Sequence, residues 1–314
     1  MKARAFWTIA AGRGELRAED LKPPAPGEIR LTAIASGVSR GTEALVFAGR
    51  VPESQFQAMR APLMAGAFPF PVKYGYSAVG SSQDGARFFA LHPHQDVFNV
   101  PHALCVPVPD AVPSARAVLA ANTETALNLL WDAAPLPGMR VLVIGAGVLG
   151  LLTGALLARI PGLRATLCDR DPAREAPAAA LGCRFALPDA APGDQDLVIH
   201  TAAAAAGLAL ALRAAGDEAA IIEASWYGDA APAVPLGEDF HARRLRLIAS
   251  QVGRVAPAMR GRRTPRERLA LALDLLRDPV FDVLLEPATR FADLPAAMPR
   301  LLAGGLCHVI DYGA

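Results

Sequence analysis

Cysteine is scarce in this chain: four residues, at positions 105, 168, 183 and 307, with no Cys-x-x-Cys pair. That spacing fits neither a disulfide framework nor a structural zinc site, and it suits a reducing compartment. An excess of one charge is missing too. Lys and Arg number 31 against 30 Asp and Glu, a formal net charge of +1, so nothing argues for nucleic acid as the main partner. The short cluster Arg260, Arg262, Arg263, Arg266 and Arg268 is the exception. It reads as a solvated loop and helix start, with phosphate contact as the alternative. The opening MKARAFWTIAAGRGE has too short an apolar stretch for a secretory signal, and a cytoplasmic protein is expected. With 53% hydrophobic and 19% charged residues the chain is globular rather than disordered. Its 314 residues are enough for two ordinary domains.

One apolar run stands out. VLVIGAGVLGLLTGALLA, residues 141–158, carries no charge and is closed by Arg140 and Arg159. It reaches the length of about 18 residues at which a run becomes a candidate membrane helix. Its glycines argue otherwise, because Gly145, Gly147, Gly150 and Gly154 would weaken one continuous helix. They suit a strand, RVLVIG, that turns sharply into a helix. In Gly145-Ala-Gly147-Val148-Leu149-Gly150 the first glycine makes the turn and the second admits a pyrophosphate. The third lets helix pack close to strand. Free N–H groups at the helix start, around Val148 and Leu149, then hold the phosphates.

The flanking sequence agrees. RATLCD reads as a second strand ending in Asp169, about 20 residues past the glycines, where a carboxylate takes ribose hydroxyls. DPAREAPAAALG and TAAAAAGLALALRAAG read as helices, and DLVIH, EAAIIEAS and RLRLIAS as strands. This alternation predicts an α/β fold, a doubly wound parallel sheet with helices on both faces and no membrane span. Asp169 repels a 2′-phosphate and favours NAD, while Arg170 and Arg174 nearby leave NADP possible.

Before residue 140 the text changes. Short runs such as EIRLTAIA, YSAVGS, ARFFAL and DVFNVP, broken by glycine and proline, predict a mostly β domain. After a helix PRERLALALDLLRD come LLEPATRF, a helix DLPAAMPRLLAGG, and a strand LCHVIDY expected to rejoin the first domain. This order resembles the medium-chain dehydrogenase/reductase family, in which a Rossmann domain is inserted near the end of a GroES-like β domain. The segments GEIRLTAIASGVSRGTE, FPFPVKYGYSAVGS, VFNVPHALCVPVPDAV, LPGMRVLVIGAGVLGLL and FADLPAAMPRLLAGG carry the resemblance. It implies a GroES-like domain over residues 1–120 and 284–314, a dinucleotide domain over 121–283, and a homodimer.

The departures from that family bear on mechanism. Where zinc alcohol dehydrogenases carry Gly-Val-Cys, this chain has Gly37-Val38-Ser39, and their Gly-His-Glu is here Gly75-Tyr76-Ser77. The third ligand position falls near Ala120, Ala121 and Asn122. A hydroxyl, a phenol and an amide or methyl make a poor site for Zn²⁺, so no zinc is expected. Ser36-Gly-Val-Ser-Arg-Gly-Thr-Glu43 resembles a zinc-lacking branch that includes bacteriochlorophyllide hydroxyethyl dehydrogenases. Tyr76, at the lost histidine, either donates to a carbonyl, with Lys73 favouring its phenolate, or fills space. Ser39 is a weak donor or a spacer. Thr42 and Glu43 orient the nicotinamide ribose or relay a proton, or else cap the following helix. His92 and His94 lack further partners for a metal, and His94 is a candidate general acid/base. His200, Ser225 and Gln251 end strands of the parallel sheet and are candidates to face the cofactor, with a structural histidine the alternative for His200, cleft wall for Ser225 and a dimer contact for Gln251.

The resemblance implies an NAD(P)-dependent enzyme that interconverts a bulky secondary alcohol and its ketone, a small-molecule substrate, without zinc. Two alternatives stay open: a zinc-free enone or quinone reductase, and a non-catalytic nucleotide-binding protein.

Overall fold

The computed structural model describes residues 1–313. The chain divides into two compact units, Met1–Ala121 with Leu269–Ala314, and Asn122–Arg268.

The first unit opens with an antiparallel hairpin of β1 (Lys2–Ala10) and β2 (Arg13–Asp20), with Lys2 opposite Asp20. In β1 the side chains of Ala3, Ala5 and Phe6 are buried. β3 (Glu28–Val38) is long and central, and runs through Ser39 into α1 (Arg40–Phe47). Short strands follow: β4 (Ala65–Gly66), β5 (Val72–Lys73), β6 (Ala78–Ser81), β7 (Arg87–Ala90), β8 (Val97–Pro101) and β9 (Cys105–Pro107). The helix α2 (Ser114–Ala117) comes next.

In the second unit the apolar run resolves into two elements. After α3 (Ala120–Ala133), β10 (Arg140–Ile144) runs into Gly145, and α4 (Val148–Leu157) starts three residues after that glycine. Leu142, Val143, Leu151 and Leu152 are fully buried, which stabilises the fold by about 1.5–3 kcal/mol per side chain. Then come β11 (Arg164–Cys168), α5 (Glu175–Ala180), β12 (Arg184–Ala186), β13 (Gln195–His200), α6 (Ala205–Ala214), β14 (Ala215–Glu223) and β15 (Arg246–Ala249). All six strands are parallel, in the order β12-β11-β10-β13-β14-β15. The helix read over DPAREAPAAALG is shorter than its text, because Pro172–Arg174 forms a tight 3₁₀ turn first. α7 (Pro265–Leu275) begins in this unit.

The tail completes the first unit with β16 (Leu285–Arg290), α8 (Leu294–Ala303) and β17 (Cys307–Asp311). β17 lies antiparallel to β3, with Val309 opposite Gly37, so the last strand returns to the first unit as its text predicts. One sheet there runs β2-β1-β5-β4 and the other β16-β17-β3-β6-β7-β9, with β8 also on β3. Phe6, Val38, Phe47, Leu294, Met298 and Ile310 form one core, and Leu31, Ala78, Phe98 and Val100 another. No helix among the described residues is long and apolar enough to cross a membrane.

Candidate functional site

The second unit presents a turn built from backbone. Gly145 has φ +101°, a conformation L side chains rarely adopt. Its N–H donates to the Cys168 carbonyl at 2.8 Å. A Cβ on Gly150 would stand 1.8 Å from the Gly145 oxygen, so only glycine lets α4 start this close to the strand. Nothing lies within 4 Å of a Cβ placed on Gly147. Gly147 is the N-cap of α4 and has no side-chain cap, so the first N–H groups of the helix, those of Val148 and Leu149, have no intrahelical partner beside that open space. The arrangement fits a dinucleotide pyrophosphate.

Asp169 follows β11. One of its oxygens accepts the Ala146 N–H at 2.7 Å and the other the Asp171 N–H at 3.0 Å. Each oxygen keeps a lone pair for a ribose hydroxyl. Arg170 is exposed beside it, while Arg174 pairs with Asp171 at 3.1 Å. Thr201, which sequence reasoning missed, clamps the turn: its hydroxyl donates to the Gly145 and Ile144 carbonyls at 2.9 and 3.1 Å. The only available signal was its place immediately after a strand of the parallel sheet.

His200 requires a correction. Its ring is fully buried, Nδ1 lies 2.7 Å from Glu223, and Nε2 faces Gly207 in α6 without a partner. It is packed inside the unit and does not present itself to a cofactor. Ser225 accepts the Ala203 N–H at 3.0 Å, and its own N–H goes to Glu223. Gln251 is exposed after β15 and accepts the Gly253 N–H at 2.7 Å.

The first unit holds a second polar cluster, made by side chains. Tyr76 donates to Ser39 Oγ at 2.5 Å, and Thr42 also hydrogen-bonds the phenol. Burial pushes Tyr76 up to about 12, so it is a protonated donor at neutral pH. Glu43 accepts the Ser39 N–H at 2.7 Å with one oxygen and faces His94 Nε2 at 3.0 Å with the other. Glu43 therefore closes the first turn of α1 and also orients a histidine. The carboxylate fixes a proton on Nε2. In the neutral ring Nδ1 then accepts from Ser36, 2.7 Å away, and Ser36 in turn lies 2.9 Å from the Tyr312 hydroxyl. Ser36 and Tyr312 were missed; Tyr312 reaches the cluster from the far end of the chain, which no local pattern announces.

Two expectations fail here. Lys73 does not serve Tyr76: its ammonium bonds Glu19 at 2.7 Å and Gln95 at 2.9 Å, over the Trp7 ring. His94 is 1% exposed with both nitrogens engaged, so it orients neighbours and is not a direct general acid/base. His92 stacks on Phe98 at 3.8 Å and bonds the Pro93 carbonyl; burial pushes it down to about 3, so it stays neutral. Asp96 pairs with Arg4.

The donors do not fit a catalytic zinc. Ser39 and Tyr76 offer a hydroxyl and a phenol bonded to each other, where Zn²⁺ prefers thiolate and imidazole. All four cysteines are buried, and burial pushes Cys168 and Cys183 up to about 11 and Cys307 to about 12.

No family model and no curated protein matches the chain. Solved structures do. L-idonate 5-dehydrogenase from Escherichia coli is 12% identical with a TM-score of 0.81, covering 99% of each chain. A protein from Sinorhizobium meliloti described as a zinc-binding dehydrogenase, bound to NADP, is 17% identical with a TM-score of 0.78, again over 99% of each. Acetophenone reductase from Geotrichum candidum, in complex with NAD, is 17% identical with a TM-score of 0.76, over 99% of this chain and 97% of that one. At such identities the likeness shows the fold: a GroES-like β unit and a Rossmann unit.

Proposed function

We propose that this chain is an NAD(P)-dependent oxidoreductase of the medium-chain dehydrogenase/reductase kind, interconverting a secondary alcohol and its ketone without zinc. The observation that carries the reading is the open glycine turn at Gly147, backed by Asp169. The N–H groups at the start of α4 would hold the pyrophosphate, and Asp169 the adenosine ribose. The carboxylate disfavours a 2′-phosphate, so NAD is the preferred cofactor. Bound nicotinamide would supply the hydride acceptor or donor.

Tyr76 supplies the proton. In the reducing direction its O–H would leave Ser39 Oγ and donate to the ketone oxygen as charge develops there, and solvent would restore the proton. Ser39 and Thr42 hold the phenol in place, and Glu43 with His94 fixes α1 beneath them. The neighbours' names support the chemistry, since they include NAD(P)-bound dehydrogenases and a ketone reductase.

The deciding experiment combines metal analysis with NADH titration and a screen of secondary alcohols and ketones. Clear NADH binding and turnover that survives exhaustive chelation support the proposal. Near-stoichiometric zinc, with turnover lost on chelation, overturns the zinc-free mechanism. A chain that binds neither NADH nor NADPH overturns the whole reading.

A further inference from the structure

We propose that the loop after β15 is a second oxyanion site, separate from the glycine turn, for a ligand of the phosphate class. That this ligand is the substrate rests on the hydride-transfer reading above; the site itself does not.

Residues 251–263 read QVGRVAPAMRGRR, with four arginines and no acid. Arg254, Arg260, Arg262 and Arg263 are all exposed, and all line one open concavity of about 510 Å³. That volume lies within the range of about 300–1,000 Å³ typical of small-molecule sites. Glu267 is the one acid in the lining. One of its oxygens accepts the Thr264 N–H at 2.7 Å and hydroxyl at 3.0 Å, and its charge also attracts Arg263, so the lining keeps an excess of three positive charges. No carboxylate pairs with Arg254, Arg260 or Arg262 among the described residues, and Arg263 donates to the Arg262 carbonyl at 3.2 Å. Four arginines line one concavity, and the guanidinium fork matches a phosphate's oxygens.

The loop is also held in place from below. Arg268 is 2% exposed and pairs with Glu124 at 2.9 Å. The same guanidinium donates to Asn128 Oδ1 at 2.5 Å and to the carbonyls of Val252 and Arg254 at 2.6 and 3.3 Å. Asn128 Oδ1 in turn accepts the Ala256 N–H at 3.0 Å. A buried ion pair contributes little net stability against an apolar replacement. Here it fixes the backbone that carries the surface arginines, which a merely solvated loop does not need. The arginine cluster read from sequence therefore has two parts: Arg268 positions the loop, and its exposed members present charge.

The location fits a ligand. The sheet is parallel, so the concavity follows the same carboxyl edge as Gly145, where open α/β sheets bind their ligands. β13 and β14 separate β10 from β15, a lateral distance of roughly 14 Å at the usual strand spacing. The cofactor's own phosphates are already served by the turn after β10.

Calorimetric titration of sodium pyrophosphate at fixed ionic strength tests this on the full chain. It is run on the wild type and on the double variant Arg260→Ala, Arg262→Ala, each with and without saturating NADH. The expected result is wild-type binding that NADH leaves unchanged and that the variant weakens about tenfold or more, with NADH affinity and Tm retained. If the alanine variant unfolds, Arg260→Gln with Arg262→Gln replaces it. Absent wild-type binding, an unchanged affinity in the folded variant, or full displacement by NADH each overturns the site. Pyrophosphate bound through the arginines in a chain that binds no NADH would overturn the cofactor reading and leave this one standing.

Discussion

The two candidate sites are built in opposite ways. The glycine turn is mostly backbone: its hydrogen bonds run between N–H groups and carbonyls, with Asp169 and Thr201 as the side chains that hold it. The cluster around Tyr76 is mostly side chain, joining Ser36, Ser39, Glu43, His94 and Tyr312. A backbone site fails when a Cβ intrudes, whereas a side-chain site fails when one functional group is removed. Each half of the molecule can be broken without touching the other's mechanism.

The largest effect is expected from Tyr76→Phe. It deletes the proposed proton donor together with its hydrogen bonds to Ser39 and Thr42, and such donors contribute about 10²–10⁴-fold. We expect kcat to fall by that order in the reducing direction, with NADH affinity unchanged. Stopped-flow oxidation of NADH separates the two. Unchanged turnover would reassign Tyr76 to filling the space of the absent metal ligand.

Next in size is an acid instability confined to the first unit. Burial holds His92 near 3, far below its ordinary value of 6.5. The folded pKa is depressed, so the neutral ring's contribution is complete above pH 6.5 and is lost as pH falls through about 3. The loss is on the order of a few kcal/mol, because each tenfold change in proton affinity is worth about 1.4 kcal/mol. His92→Phe keeps an aromatic ring against Phe98 and removes the titration. We expect it to lose about 1 kcal/mol at neutral pH with the Pro93 hydrogen bond, yet to unfold at lower pH than wild type. Acid titrations followed by circular dichroism read both.

Gly150→Ala attacks the other half. The new Cβ meets a main-chain oxygen, so the turn must open, and overpacking of this kind costs about 1–3 kcal/mol. Tm should fall with that cost, and NADH affinity should weaken by about tenfold or more in a fluorescence titration, because the N–H groups at the turn are displaced.

The same contrast explains what was legible in the sequence. Gly145, Gly147, Gly150 and Asp169 declare themselves because a backbone turn needs particular residues at fixed spacing along one short segment. The parallel sheet followed from the alternation of apolar strand and helix text, while its strand order did not. The Tyr76 cluster was legible only as a set of candidates, through the departures from a zinc pattern. Its geometry was not, since nothing local says that Lys73 turns to Glu19, or that Tyr312 closes on Ser36. His200 misled for a related reason. The end of a strand in a parallel sheet is a ligand-facing place, but side chains there point up or down, and this one points into α6.

The smallest effect is also the sharpest test of the turn. The oxygens of Asp169 brace Ala146 and Asp171, and under the proposed function its charge would also disfavour a 2′-phosphate. Asp169→Asn removes the charge but keeps only one of the two N–H acceptors, so a loss shared by both cofactors measures the bracing and a changed ratio measures the charge. With Arg170 exposed beside it, the variant should shift preference toward NADPH by about 1 kcal/mol, roughly fivefold. Paired NADH and NADPH titrations measure the ratio directly. Equal loss of both cofactors would mean that Asp169 only braces the loop. A changed ratio with little change in total affinity would place the carboxylate at the ribose, and would make it the one side chain of the backbone-built site that selects its ligand.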